Sequence, residues 1–137
     1  MALSKSEVLA LIPTPYVPSY DEYTIILESD GTAIGVYNFL LNQIGDSSQN
    51  GTTDIQWSIT GVNSFTAVQT SGPFNLFLLD AKPTILISDT GQLLIVYPTP
   101  ISPTQITYFL IYPDGTTPSV FPSFLTNRLL VTIRVFF

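Results

Sequence analysis

The sequence contains no cysteine and no histidine, and charged residues make up only 10% of its 137 positions. Without cysteine there is no disulfide framework, zinc knuckle, iron–sulfur cluster or thiol nucleophile. Without histidine there is no Ser-His-Asp triad and no imidazole metal site. A typical soluble chain is about 25% charged, so this one has few charges with which to cover a solvated particle. Its cations are Lys5, Lys82, Arg128 and Arg134, set against ten Asp+Glu for a formal net charge of -6. Four scattered cations do not make a nucleic-acid footprint, so no nucleic-acid partner is expected.

Long apolar runs are also missing. No stretch reaches the roughly 18 apolar residues of a spanning helix. At the start, Glu7 lies close to Lys5 and the apolar run Val8–Ile12 is five residues long. That is shorter than the roughly 7–15 residues of a secretory h-region. The expectation is synthesis in the cytoplasm without a signal peptide, and no membrane insertion. Gly-x-Gly-x-x-Gly, P-loop and Gly-x-Ser-x-Gly motifs are absent, and no cofactor is expected.

What is present is apolar: 45% hydrophobic and 12% aromatic residues, with a mean hydropathy of +0.37. This excludes disorder over most of the chain, and the length is that of one domain. Residues 1–20 read as an arm. Ser4-Lys5-Ser6-Glu7 matches a capping box, and Pro13 disfavours helix in the residue before it. Lys5–Ile12 therefore forms either a helix of about two turns or a frayed end. Such a helix is too short to be stable alone in water and needs a surface for Val8, Leu9, Leu11 and Ile12. Residues 13–20 carry three prolines with Tyr16, Val17 and Tyr20, and should be extended, near polyproline II.

From Asp21 onward the pattern is strand, turn, strand. Strands are expected at 22–28, 33–44, 54–60, 64–69, 74–79, 84–88, 92–97, 105–112 and 129–136; a short helix over 38–44 is the alternative within the second. Asp46–Thr53 reads as a polar loop. Breaks fall at Ser71-Gly72-Pro73, Asp80 to Pro83, Asp89-Thr90-Gly91, Pro98 to Pro103 and Pro113-Asp114-Gly115, all turn formers. Residues 84–97 make the clearest hairpin, with Gly91 able to take φ > 0. Trp57 anchors an alternating strand. In the last segment Leu129, Val131, Ile133, Val135 and Phe137 face the core; Arg128, Leu130, Thr132, Arg134 and Phe136 face outward. Tyr23–Tyr37 and Thr107–Phe121 share Asp-Gly-Thr at an offset of 84, which two ordinary Asp-Gly turns or a duplicated hairpin would both give. The expected fold is an all-β, antiparallel, jelly-roll-like β-sandwich of eight to ten short strands over 21–137.

Carboxylate pairs for glycoside hydrolysis would draw on Asp21, Glu22, Glu28, Asp30 and Asp54. However, Asp30, Asp46, Asp80, Asp89 and Asp114 sit in turns, where Asp is favoured because its side chain bonds local backbone. Asp46–Asp54 lacks the Asp-x-Asp-x-Asp-Gly spacing of a calcium loop. Neither catalysis nor a metal is expected.

The informative feature is strands apolar on both faces: Leu93–Tyr97, Phe74–Leu79 and Tyr108–Tyr112. A two-layer sandwich covers one face of each sheet, so the other faces await a partner. Lysines that block edge pairing in monomers are scarce. Tyr97, Tyr108, Leu110, Tyr112, Leu130 and Phe136 are the candidate interface positions, with Tyr108, Leu110 and Tyr112 on one strand face and Phe109 and Ile111 on the other. The jelly-roll-like pattern with an apolar arm resembles small virion proteins in general type (minor capsid, cement, neck or fibre-base). The expectation is a homo-oligomeric structural subunit with protein partners in a virion or assembled particle. A surface-filament subunit and a carbohydrate-binding sandwich presenting Tyr16, Tyr20, Tyr97, Tyr108 and Tyr112 are the alternatives.

Overall fold

The computed structural model describes residues 20–43, 55–70, 79–102 and 104–136. The arm over 1–19, the polar loop 46–53, the turn at 71–73 and most of the expected strand 74–79 lie outside the described residues. Within them the chain is all-β: β1 (Tyr20–Ser29), β2 (Ile34–Asn42), β3 (Ile55–Gly61), β4 (Ser64–Gln69), β5 (Leu79–Ala81), β6 (Thr84–Ile87), β7 (Leu93–Ser102), β8 (Gln105–Ile111) and β9 (Leu129–Phe136). β2 is extended through Asn42, so the helical alternative does not form over 38–42.

The strands make two antiparallel sheets, ordered β2-β1-β9-β5 and β3-β4-β8-β7-β6. Their inner faces form one sandwich core. Tyr23, Ile25 and Leu27 of β1 and Leu129, Val131, Ile133 and Val135 of β9 meet Ile55, Trp57, Phe65, Leu86, Leu94, Val96, Ile106, Tyr108 and Leu110. The alternation in β1 and β9 is the cause: every second side chain points to the same side of a strand. Trp57, Phe65 and Tyr108 pack as an aromatic group, with the Phe65 and Tyr108 rings stacked at 4.9 Å.

One end of the sandwich is closed by the segment between β8 and β9, which inserts Phe121 and Phe124. Asp89 holds it there. The Asp89 N–H donates to Ser123 O, and the Phe124 N–H donates to Ser29 O. Thus the Ser29 end of the first sheet and the Ile87 end of the second lie together.

Two expected breaks are strand instead. β7 continues through Pro98 and Pro100, which pair with Tyr108 and Ile106 of β8. β6 pairs only as far as Val96, so beyond it β7 is an edge strand among the described residues. Proline is tolerated there, where its missing N–H faces the open side. Asp80 and Ala81 belong to β5, paired with Arg134 and Ile133. The two Asp-Gly-Thr segments are local turns of different context. Gly31 (φ 94) joins β1 to β2, whereas Gly115 (φ 86) turns the chain back only to Thr116, whose carbonyl accepts the Tyr112 N–H.

Candidate functional site

The outward face of the second sheet divides into two fields. Across β6, β7 and β8, Ile85 pairs with Ile95, Ile87 with Leu93, Ile95 with Ile111, and Tyr97 with Phe109. These seven side chains lie on the side opposite the buried Leu86, Leu94, Val96 and Leu110. Ile85 is 64% exposed, Ile87 45% and Leu93 44%. The Tyr97 and Phe109 rings stack at 5.6 Å across the strands. No acid or base occurs in β6, β7 or β8.

Toward β3 the same face turns polar. Thr99 pairs with Thr107, Thr107 with Thr66, and Thr66 with Ser58, a row of hydroxyls crossing four strands. The Ser58 and Thr66 hydroxyls share a hydrogen bond at 3.1 Å.

The outer face of the first sheet has a different character. Arg128 Nε lies 3.2 Å from Glu28 Oε2, and the Arg128 guanidinium sits 3.5 Å from the centre of the Tyr37 ring. Arg134 repeats the arrangement with Glu22 at 3.3 Å and Tyr20 at 5.1 Å. Both arginines are thus held against a carboxylate and a ring, with Leu130 exposed between them along β9.

The expected interface residues distribute unevenly. Tyr108 and Leu110 are corrections: both are fully buried in the core, and Tyr108 stacks on Phe65 rather than facing a partner. Pairing of β8 between β4 and β7 sets this parity, so the outward face of β8 carries Phe109 and Ile111. Tyr112 packs against the core edge, and its hydroxyl donates to Gln92 Oε1. Tyr97 and Leu130 do face outward, on different sheets, and Tyr20 is exposed. Phe136 ends β9 opposite Tyr20. Val8, Leu9, Leu11, Ile12, Tyr16 and Val17 lie outside the described residues. Ile85, Ile87, Leu93 and Ile95 were not anticipated as site residues. Their signal was present in the Ile85/Ile87 alternation beside the two-faced run Leu93–Tyr97.

The described turn carboxylates are committed to backbone. Asp30 Oδ1 accepts from Thr32 N, Ala33 N and the Thr32 hydroxyl, and these bonds, Thr32 N–H first, lower its pKa. Asp114 is lowered by the Thr116 hydroxyl and then its N–H. Asp89 is brought to about 2 by the Leu125 N–H, the Ser123 hydroxyl and the Thr126 N–H. None of the three is poised to carry a proton near neutrality. Among the described residues no three His, Cys, Asp or Glu cluster as metal ligands. A cleft of about 480 Å³ opens beside the Asp30 and Asp89 turns. Hydroxyls of Ser88 and Thr90 in its wall bond one another, and the Gln92 N–H donates to Ser88 Oγ.

Comparison with protein-family models, with curated proteins and with solved structures found no match.

Proposed function

We propose that the chain is a non-enzymatic structural subunit that assembles with itself and with other protein subunits. A neighbour covers the outer β6–β7–β8 face. In its most specific form the reading is a virion component: a minor capsid, cement, neck or fibre-base protein. The observation that supports assembly is the uncharged outer face carrying Ile85, Ile87, Leu93, Ile95, Tyr97, Phe109 and Ile111.

Strand spacing and rise give these rows an extent of about 20 Å by about 14 Å. Covering them contributes about 7 kcal/mol gross at the usual value per apolar area. Association costs about 4–15 kcal/mol in lost freedom, so the face contributes to assembly without driving it alone. Further apolar contacts complete it.

Light scattering on the full-length protein tests the reading. The expected mass is a multiple of 15.0 kDa. Ile85→Lys with Leu93→Lys lowers that mass, while stability of the subunit changes by only about 0.5 kcal/mol, as for other exposed positions. A full-length chain that stays monomeric at high concentration removes the proposal.

A further inference from the structure

Three chain segments meet around the cleft of about 480 Å³ at the Phe121 end of the sandwich. Asp30 and Gly31 come from the β1–β2 turn, Ser88, Thr90 and Gln92 from the β6–β7 turn, and Tyr112 and residues 118–123 from the segment after β8. The volume falls within the roughly 300–1,000 Å³ of small-molecule sites. We infer that this cleft binds a short neutral saccharide, held by Asp30 and Gln92 against an apolar wall that includes Tyr112. The inference stands apart from the assembly reading, because these walls come from turns and not from the outer β6–β7–β8 face.

Two polar groups of the wall keep hydrogen-bonding capacity. Asp30 uses only Oδ1 for its turn; Oδ2 accepts nothing among the described residues. Gln92 Oε1 takes the Tyr112 hydroxyl at 3.1 Å, which orients the amide and leaves the Nε2 hydrogens without a partner among the described residues. A sugar hydroxyl both donates and accepts, so neighbouring hydroxyls satisfy the carboxylate and the amide together. Pro118, Val120, Phe121 and Pro122 join the Tyr112 ring in the apolar part of the wall, which suits the C–H face of a pyranose. Val120 is 70% exposed there.

Other ligand classes fit less well. No Lys or Arg occurs among the described residues of the wall, and the Asp30 carboxylate repels anions. A hard cation takes about 6–8 oxygen ligands, whereas Asp30 is the single carboxylate among those residues. A peptide added as a strand needs an open sheet edge, and turns form these walls. The walls are also fixed in advance, by Asp89 on Leu125 and Thr126 and by the Phe124 N–H on Ser29 O. Binding therefore requires little new ordering.

Saturation-transfer NMR and calorimetric titration of the full-length protein test the site. The probes are glucose, galactose, mannose, N-acetylglucosamine and lactose at tens of millimolar, with glucuronate as the anionic counterpart of glucose. Saturable binding of at least one neutral sugar is expected, with glucuronate weaker than glucose. Asp30→Asn keeps Oδ1 for the turn and replaces the Oδ2 acceptor with a donor, and should weaken binding about tenfold. Gln92→Leu removes the amide from an exposed position and should do the same, so the test survives if Asp30→Asn disturbs its turn. Leu130→Ala, on the outer face of the other sheet, should leave binding unchanged. No response to any of the neutral sugars, a response undiminished in both variants, or glucuronate bound as tightly as glucose overturns the inference. None of these outcomes bears on the oligomeric mass.

Discussion

Asp89 receives the backbone N–H of Leu125 on both carboxylate oxygens, each at 3.0 Å. The Ser123 hydroxyl and the Thr126 N–H, the latter at 2.8 Å, complete the clamp. One side chain from the β6–β7 turn thereby fixes the segment that places Phe121 and Phe124 in the core. Its folded pKa of about 2 is below the ordinary 3.8. The unfolded chain therefore binds more protons in this window, and stability rises with pH. The contribution is complete above about pH 4 and lost as pH falls through about 2. Asp30 and Asp114 shift in the same direction. Thermal melts should show Tm falling between pH 5 and pH 2. Asp89→Asn should lower Tm at pH 7 and flatten that fall; an unchanged slope would remove Asp89 as its source.

Gly91 holds φ at 84°, and a Cβ there would meet nothing within 4 Å. Gly91→Ala therefore isolates backbone strain, expected to cost about 1–2 kcal/mol. Gly35, within β2, also has open space around it and no positive φ. Gly35→Ala should instead stabilise by about 0.4–1 kcal/mol through the unfolded chain. Urea midpoints moving in opposite directions for the two variants are the expected result.

The Tyr108 hydroxyl is buried with no hydrogen-bond partner among the described residues, and its burial raises the phenol pKa. Tyr108→Phe keeps the stack on Phe65 and removes the unpaired group. It should raise stability by about 1 kcal/mol, with no change in denaturant m-value. Tyr108→Ala should cost about 3–5 kcal/mol, as large core truncations do. A marked loss with Tyr108→Phe would mean that the hydroxyl has a partner.

Arg128 and Glu28 are about one-third exposed at the side chain, 32% and 37%. An ion pair so placed is worth up to about 1 kcal/mol, and the Tyr37 ring adds about 0.5–1 kcal/mol. Arg128→Ala should cost about 1 kcal/mol, and Glu28→Gln less. In molar salt the Glu28→Gln effect should vanish while part of the Arg128→Ala effect remains, because salt screens the ion pair more than the ring packing.

Much of the sandwich was legible because β alternation and turn chemistry are local. Leu129, Val131, Ile133 and Val135 read as one face and are buried together. Asp89-Thr90-Gly91 read as a hairpin turn, and Gly91 takes the positive φ that turn needs. Trp57 read as a core anchor and lies against Phe65 and Tyr108. By contrast, β7 runs on through Pro98 and Pro100. That depended on β6 being too short to pair there, which is a fact about a neighbouring strand.

Composition and periodicity by themselves determined an all-β chain with more apolar strand surface than one core face can take. They did not decide which face of β8 turns inward. Tyr108 and Leu110 on one side and Phe109 and Ile111 on the other are both apolar, so the sequence carries no parity signal. Only tertiary pairing supplied it. Register with Phe65 on β4 and Val96 on β7 puts Tyr108 and Leu110 in the core. A shift of one residue would exchange the two faces. The same pairing turns Ile85, Ile87, Leu93 and Ile95 outward, because each is one residue from a side chain the core requires.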